Sequence, residues 1–174
     1  RIGKEVAIRA RAFGMNVIGY DVYWDEKFAT ANHVTRAASL DEIYAASDYI
    51  SLHTNLTPET RDMISAKSFP KMKKGVIILN CARGEIVHTS DIVEALKSGQ
   101  VGGYGTDVLD EEPPKPDHPL LKLPNVVVTP HIGSRTHESV QRQAAAAVKN
   151  LILAMRGEKP LAQINTEVPV KKVV

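Results

Sequence analysis

Val76-Ile77-Ile78-Leu79-Asn80-Cys81-Ala82-Arg83-Gly84 is the stretch that decides the fold. Val76 to Leu79 are apolar without a break, so no polar alternation marks a solvent face. A strand of that kind is predicted to be covered on both faces, as the inner strands of parallel sheets are. It ends at Asn80, and an arginine stands beside a glycine just beyond it.

Strand and helix signals alternate on either side of this run. Upstream, Ile2 to Phe13 is predicted helical, with Ile2, Val6 and Ala10 at i, i+4 and i+8 and Gly14 as the stop. Val17-Ile18-Gly19-Tyr20 is a short strand ending at Asp21. Ser39-Leu40-Asp41-Glu42 has the form of a capping box and opens a helix to about Ala46. Tyr49 to His53 is the next strand, and Ser65 is expected to cap a helical turn that Pro70 ends.

Downstream, Asp91 to Lys97 is predicted helical and is closed by Gly99. Gly102 to Asp107 is a glycine-heavy strand, and the proline-rich segment from Glu112 to Leu123 is a loop. Val126 to Val128 is a strand, and Thr136 to Arg156 is a long helix ended by Gly157. From Lys159 the tail is irregular or extended. Such alternation implies βαβ units, an α/β class and a parallel sheet. Ligands in these sheets sit beyond the carboxyl ends of the strands. Asp21, His53, Arg83, Asp107 and His131 all fall at or just after predicted strand ends, which points to one shared site.

The bulk composition agrees with an ordinary globular domain. The chain has 174 residues, 43% hydrophobic and 24% charged, enough apolar material for a core. A net charge of +2 is too weak a bias to argue for nucleic acid. Lys71, Lys73 and Lys74 form the one tight basic cluster and read as a solvated turn. The single cysteine, Cys81, excludes an internal disulfide and fits a reducing, cytoplasmic setting. No run reaches the roughly 18 apolar residues of a membrane span. The chain opens on Arg1 inside what reads as a motif, so it is expected to be a piece of a longer protein.

That motif is on the cofactor side. Arg1-Ile2-Gly3 before a helix matches the last half of G-x-G-x-x-G, without the first two glycines and their strand. Asp21, 18 residues past Gly3 at the end of what would be the second strand of that motif, is placed to grip adenosine ribose hydroxyls. A carboxylate there repels a 2′-phosphate, which favours NAD over NADP. His53-Thr54 and the following Leu56-Thr57-Pro58-Glu59-Thr60 are expected to pack the adenosine end, with Thr60 approaching the phosphates.

Three further residues carry chemistry. Arg83, Glu112 and His131 are an arginine, a carboxylate and an imidazole, the parts needed to hold a substrate carboxylate and move a proton on its 2-hydroxyl. Each alone reads more readily as a surface arginine, a solvated acid in the run Asp110-Glu111-Glu112, or a turn histidine after Pro130. Their joint placement at strand ends is what makes them a candidate site.

The chain resembles the D-isomer-specific 2-hydroxyacid dehydrogenases through nearly its whole length. The resemblance is carried by Arg1-Ile2-Gly3, Tyr20-Asp21, Leu52-His53 with Leu56 to Thr60, Asn80 to Gly84, Asp107 to Pro113 and Thr129-Pro130-His131-Ile132-Gly133-Ser134. Ala12-Phe13-Gly14-Met15 leading into Gly19-Tyr20-Asp21 is most similar to the phosphoglycerate dehydrogenase branch. The resemblance implies a Rossmann-type doubly wound sheet, lacking its first strand here, with a cofactor domain over 1–158. The tail 159–174 would lead back to a substrate domain outside this sequence. It also implies NAD as cofactor, a small D-2-hydroxy acid or 2-keto acid as substrate and a homodimer through the cofactor domain.

In that family reading His131 is the general acid or base, Glu112 orients its ring and Arg83 holds the substrate carboxylate. Asp107 and the backbone of Cys81 and Ala82 orient the nicotinamide amide. Arg1, Ile2 and Gly133 also fall among the cofactor contacts, and Arg83 and His131 are expected to touch the cofactor as well as the substrate. Asn55, Thr106 and Arg135 depart from the usual pattern without removing a reacting group. A non-catalytic NAD-sensing module is the alternative, since a related branch uses the same fold as a corepressor. Formate dehydrogenases typically carry glutamine where Glu112 stands, which argues against them.

Overall fold

In the computed structural model, which describes residues 1–171, helices and strands alternate. They run as α1 (Ile2–Ala12), β1 (Val17–Gly19), α2 (Glu26–Ala31), β2 (Val34–Arg36), α3 (Leu40–Ala46), β3 (Tyr49–Leu52) and β4 (Val76–Asn80). Then follow α4 (Thr89–Lys97), β5 (Val101–Thr106), β6 (Val126–Val128) and α5 (His137–Met155). Every strand pairing is parallel. The strands form a four-stranded sheet, β3-β4-β5-β6, and a separate pair, β1-β2.

The chain divides into two units, Arg1–His131 and Ile132–Val174. The first holds both sheets and the core, in which Ile64, Ile78, Ile86, Ile92 and Val101 are fully buried. Helix α4 contributes Ile92, Val93, Ala95 and Leu96 from one face, and α3 contributes Tyr44. In the second unit, the Thr136 hydroxyl caps α5 by accepting from Ser139 N at 3.1 Å. Asn150 on α5 receives Leu161 N at 2.7 Å, which ties the start of the tail to its helix. The last three positions of the expected tail, 172–174, lie outside the described residues.

Local chemistry explains most of these elements. Ser39 Oγ accepts from Glu42 N at 3.2 Å, and Glu42 Oε2 accepts from Ala38 N at 2.7 Å. The capping box is thus present, with the glutamate reaching one residue further back than its usual form. Lys71 and Lys73 pair with Asp41 and Asp48, as suits a solvated turn.

Three expectations need correction. Strand β4 is buried on one face only: Val76, Ile78 and Asn80 point inward, whereas Leu79 is 39% exposed. Its lateral neighbours explain this, because Ile77 and Leu79 stand beside Gly103 and Gly105 of β5, which have no side chains to cover them. The turn expected to end at Pro70 runs through it as a 3-10 turn over Phe69–Lys71, since proline is tolerated in a first turn. The segment 112–123 is not all loop, because Pro119–Lys122 forms another 3-10 turn that buries Leu120. Helix α2 and strand β2 have no counterpart in the sequence reading.

Candidate active site at the carboxyl ends of the strands

Parallel pairing brings the ends of β3, β4, β5 and β6 to one edge of their sheet. His53 follows β3, Arg83 lies three residues past β4, Asp107 follows β5 and His131 lies three past β6. Asp21 sits two residues beyond β1, the matching end of the smaller sheet.

Arg83 is set by Asn80, whose side chain is fully buried. Asn80 Nδ2 donates to Arg83 O at 2.9 Å, and its Oδ1 accepts from Ala82 N at 3.0 Å. The amide therefore holds the Cys81-Ala82-Arg83 turn from inside. Gly84 lets that turn approach the next one. A Cβ at Gly84 would sit 2.0 Å from the Leu109 carbonyl carbon and 2.4 Å from Asp110 N. Only a residue without a side chain allows the two backbones so close, and this brings Arg83 beside the segment that carries Glu112.

Glu112 and His131 form a pair. Glu112 Oε2 meets His131 Nδ1 at 2.7 Å, and Glu112 Oε1 accepts from Leu109 N at 3.0 Å. The His131 bond, and then the Leu109 bond, hold the Glu112 carboxyl below its ordinary value. His131 has φ of 52°, a left-handed conformation uncommon outside glycine. Its amide donates to Thr129 O at 3.0 Å, so a tight turn aims the ring. Arg83, Gly84, Glu85, Leu109, Asp110, Glu112 and His131 border one cleft of about 170 Å³. The structure therefore brings the whole predicted trio together.

The expected cofactor residues are placed as follows. Arg1 precedes α1 without a side-chain cap bond, so the first N–H groups of α1, from Ile2 onward, are open to an anion. Gly3 lies against the ring of His53, at ordinary contact distance for an added Cβ. Burial pushes the His53 imidazole down. Asp21 is exposed and accepts from Tyr23 N at 2.8 Å through Oδ1. Asp107 is buried and accepts from the Thr129 hydroxyl at 2.5 Å. Cys81 is exposed, and loss of solvent raises its thiol, which does not suit a nucleophile. Thr54 donates to Asn55 O at 3.3 Å. The Thr60 hydroxyl donates to Asn55 O at 2.7 Å and accepts from Thr57 N at 2.8 Å, so it braces its own loop. Gly133 belongs to the second unit.

These residues fit a dinucleotide: open helical N–H groups for its phosphates and an exposed carboxylate for ribose hydroxyls. Sequence reasoning passed over Asn80, Gly84 and Thr129 as site builders. The signal was present in Asn80 and Gly84, which flank Arg83. No metal-binding group of His, Cys, Asp or Glu occurs among the described residues.

A family model described as D-isomer specific 2-hydroxyacid dehydrogenase, NAD binding domain, matches residues 1–133. The chain belongs to that family. A D-3-phosphoglycerate dehydrogenase of Methanocaldococcus jannaschii is 42% identical over 158 residues, which cover 91% of this chain and 30% of that protein. A glyoxylate reductase of Korarchaeum cryptofilum is also 42% identical, over 168 residues, covering 97% of this chain and 50% of that one. Among solved structures, D-lactate dehydrogenase with NAD+ from Lactobacillus jensenii superposes with a TM-score of 0.87 at 32% identity. That match covers 94% of this chain and 52% of the other. The chain spans half or less of the length of these two curated relatives.

Proposed function

We propose that the protein is an NAD-dependent oxidoreductase that interconverts a small D-2-hydroxy acid and its 2-keto acid. The observation that carries this reading is the single cleft bordered by Arg83, Glu112 and His131. NAD, when bound, supplies hydride exchange at C2 of the substrate. Its phosphates would be held by the N-terminus of α1 at Arg1 and Ile2, and its ribose by Asp21. Asp107 and the Cys81 and Ala82 backbone would hold the nicotinamide amide, with His53, Thr54 and Thr60 completing the binding surface.

The chain's own groups do the rest. Arg83 presents planar paired N–H donors to the substrate carboxylate, which fixes the carbon to be reduced. Glu112 occupies His131 Nδ1, so Nε2 is the nitrogen left to face the substrate oxygen. His131 gives its Nε2 proton to the carbonyl oxygen in reduction and takes it back in oxidation. An imidazole suits both directions because its free pKa, about 6.5, lies near working pH.

The proposal extends to the remainder of the molecule. The cofactor domain runs to residue 158, and 159–174 lead to a substrate domain, in keeping with the length of the relatives. The lack of a ladder between β1 and β3 supports a missing strand there, because the first strand of a doubly wound sheet sits at that place. A homodimer and a cytoplasmic location belong to the same reading. No described helix is long and apolar enough to cross a membrane.

The test is loss of NADH absorbance by the full-length protein with glyoxylate, hydroxypyruvate, pyruvate and phosphohydroxypyruvate. Turnover of at least one is expected. Binding of NADH without turnover of any of the four contradicts the reading.

A further inference from the structure

Two titratable residues beside the cleft have no part in the proton path above. Asp110 borders the cleft with Arg83, Glu112 and His131. His118, later in the same segment, is buried at 6% exposure. The two meet at 3.1 Å through His118 Nε2 and Asp110 Oδ1. A carboxylate only accepts, so Nε2 carries the proton and donates. His118 Nδ1 is enclosed without a partner among the described residues. A buried nitrogen left unpaired is unfavourable, and folded proteins hold few of them. Its retention here calls for a compensating role.

The role follows from where the pair sits. Asp110 succeeds the buried Val108 and Leu109, and His118 precedes Leu120, which is in the core. Between them, residues 111–117 are all exposed. The His118–Asp110 bond therefore closes a solvent-facing loop at its two ends, and Glu112 lies inside that closure. Burial alone would raise the Asp110 carboxyl, but the hydrogen bonds it accepts, that from His118 first, together outweigh it and lower it.

We propose that the His118–Asp110 pair is a positioning device that closes the 110–118 loop and thereby holds Glu112 against His131. Its effect on rate rests on the oxidoreductase reading, whereas its effect on the Glu112–His131 contact does not. The full-length protein, labelled for carboxyl carbon NMR, is titrated as wild type and as His118→Leu, Asp110→Ala and Asp110→Asn. Wild-type Glu112 titrates below its ordinary value. His118→Leu and Asp110→Ala are expected to move it up, because the His131 contact loosens. Loss of a neighbouring negative charge would move it down, so a rise isolates the lost contact. Asp110→Asn keeps an acceptor for Nε2–H and is expected to keep Glu112 depressed.

In parallel, kcat for 2-keto acid reduction is expected to fall about ten-fold in His118→Leu and Asp110→Ala, with NADH affinity unchanged, as small misplacements near the reacting atoms do. An unchanged Glu112 titration in folded Asp110→Ala overturns the proposal. That variant alters a partly exposed carboxylate and decides the matter where His118→Leu fails to fold. The expected titrations in a protein that turns over no 2-keto acid support the positioning role and contradict the oxidoreductase reading.

Discussion

His131 combines a reactive ring with a backbone that resists it. Holding a non-glycine residue at positive φ costs about 1–3 kcal/mol, and such strain persists where the surroundings impose it. Here Thr129 O and Glu112 impose it. The depressed Glu112 carboxyl means that the partner of His131 stays ionised through the range in which most glutamates gain a proton. Glu112→Gln is expected to lower kcat for alcohol oxidation about ten-fold or more, because a neutral amide supports the ring less well as it takes the proton. Steady-state turnover of the two proteins measures this, and equal kcat removes Glu112 from the proton step. Arg83 and His131 were legible because each lies just past a strand end, and Glu112 because it stands in the Asp107 to Pro113 motif. Asp110 and His118 were not, since an acidic run looks solvated and a histidine before proline looks like a turn. Their pairing requires a loop closure that no local pattern encodes.

At the scale of elements, what packs closely is decided by what is absent. Gly84 is indispensable for space rather than for φ, because the Leu109 and Asp110 backbone occupies the volume of a Cβ. Gly84→Ala is expected to destabilise the fold by about 1–3 kcal/mol, the usual range for overpacking, and to lower kcat by separating Arg83 from Glu112. Urea unfolding together with turnover checks it, and a variant with unchanged midpoint and unchanged kcat would show the turns to be independent. Strands β1 and β3 to β6 and helices α1, α3, α4 and α5 were legible from apolar runs, the Ser39–Glu42 box and the glycine stops. Helix α2 and strand β2 escaped notice for a physical reason. Six and three residues are too few to display a period, and β2 reads Val34-Thr35-Arg36 with a single apolar residue. One cue was present: Asp25 caps α2 by accepting from Phe28 N at 3.0 Å.

For the whole molecule, the shifted groups that titrate below neutrality give one sign of pH dependence. Burial lowers His53 from 6.5. The Ala66 amide lowers Asp91 from 3.8, and the His131 bond lowers Glu112 from 4.5. In each case the unfolded chain binds a proton at a pH where the folded chain does not, so stability rises with pH. The thermal midpoint is expected to be level between about pH 7 and pH 8, to decline as pH falls below the ordinary value of His53, and to decline further below that of Glu112. A midpoint that rises on acidification contradicts these assignments. The fold class was legible at this scale from alternation alone. The separation of β1-β2 from β3-β4-β5-β6 is a property of strand pairing between distant segments, which periodicity does not report.

The central claim is that one cleft joins Arg83, Glu112 and His131 for proton transfer to a 2-keto acid. Steady-state reduction by the full-length His131→Asn variant tests it most directly, because asparagine tolerates positive φ and leaves the turn intact. The expected result is a loss of kcat of about 10²- to 10⁴-fold in protein that still binds NADH. Wild-type turnover by this variant would contradict the claim.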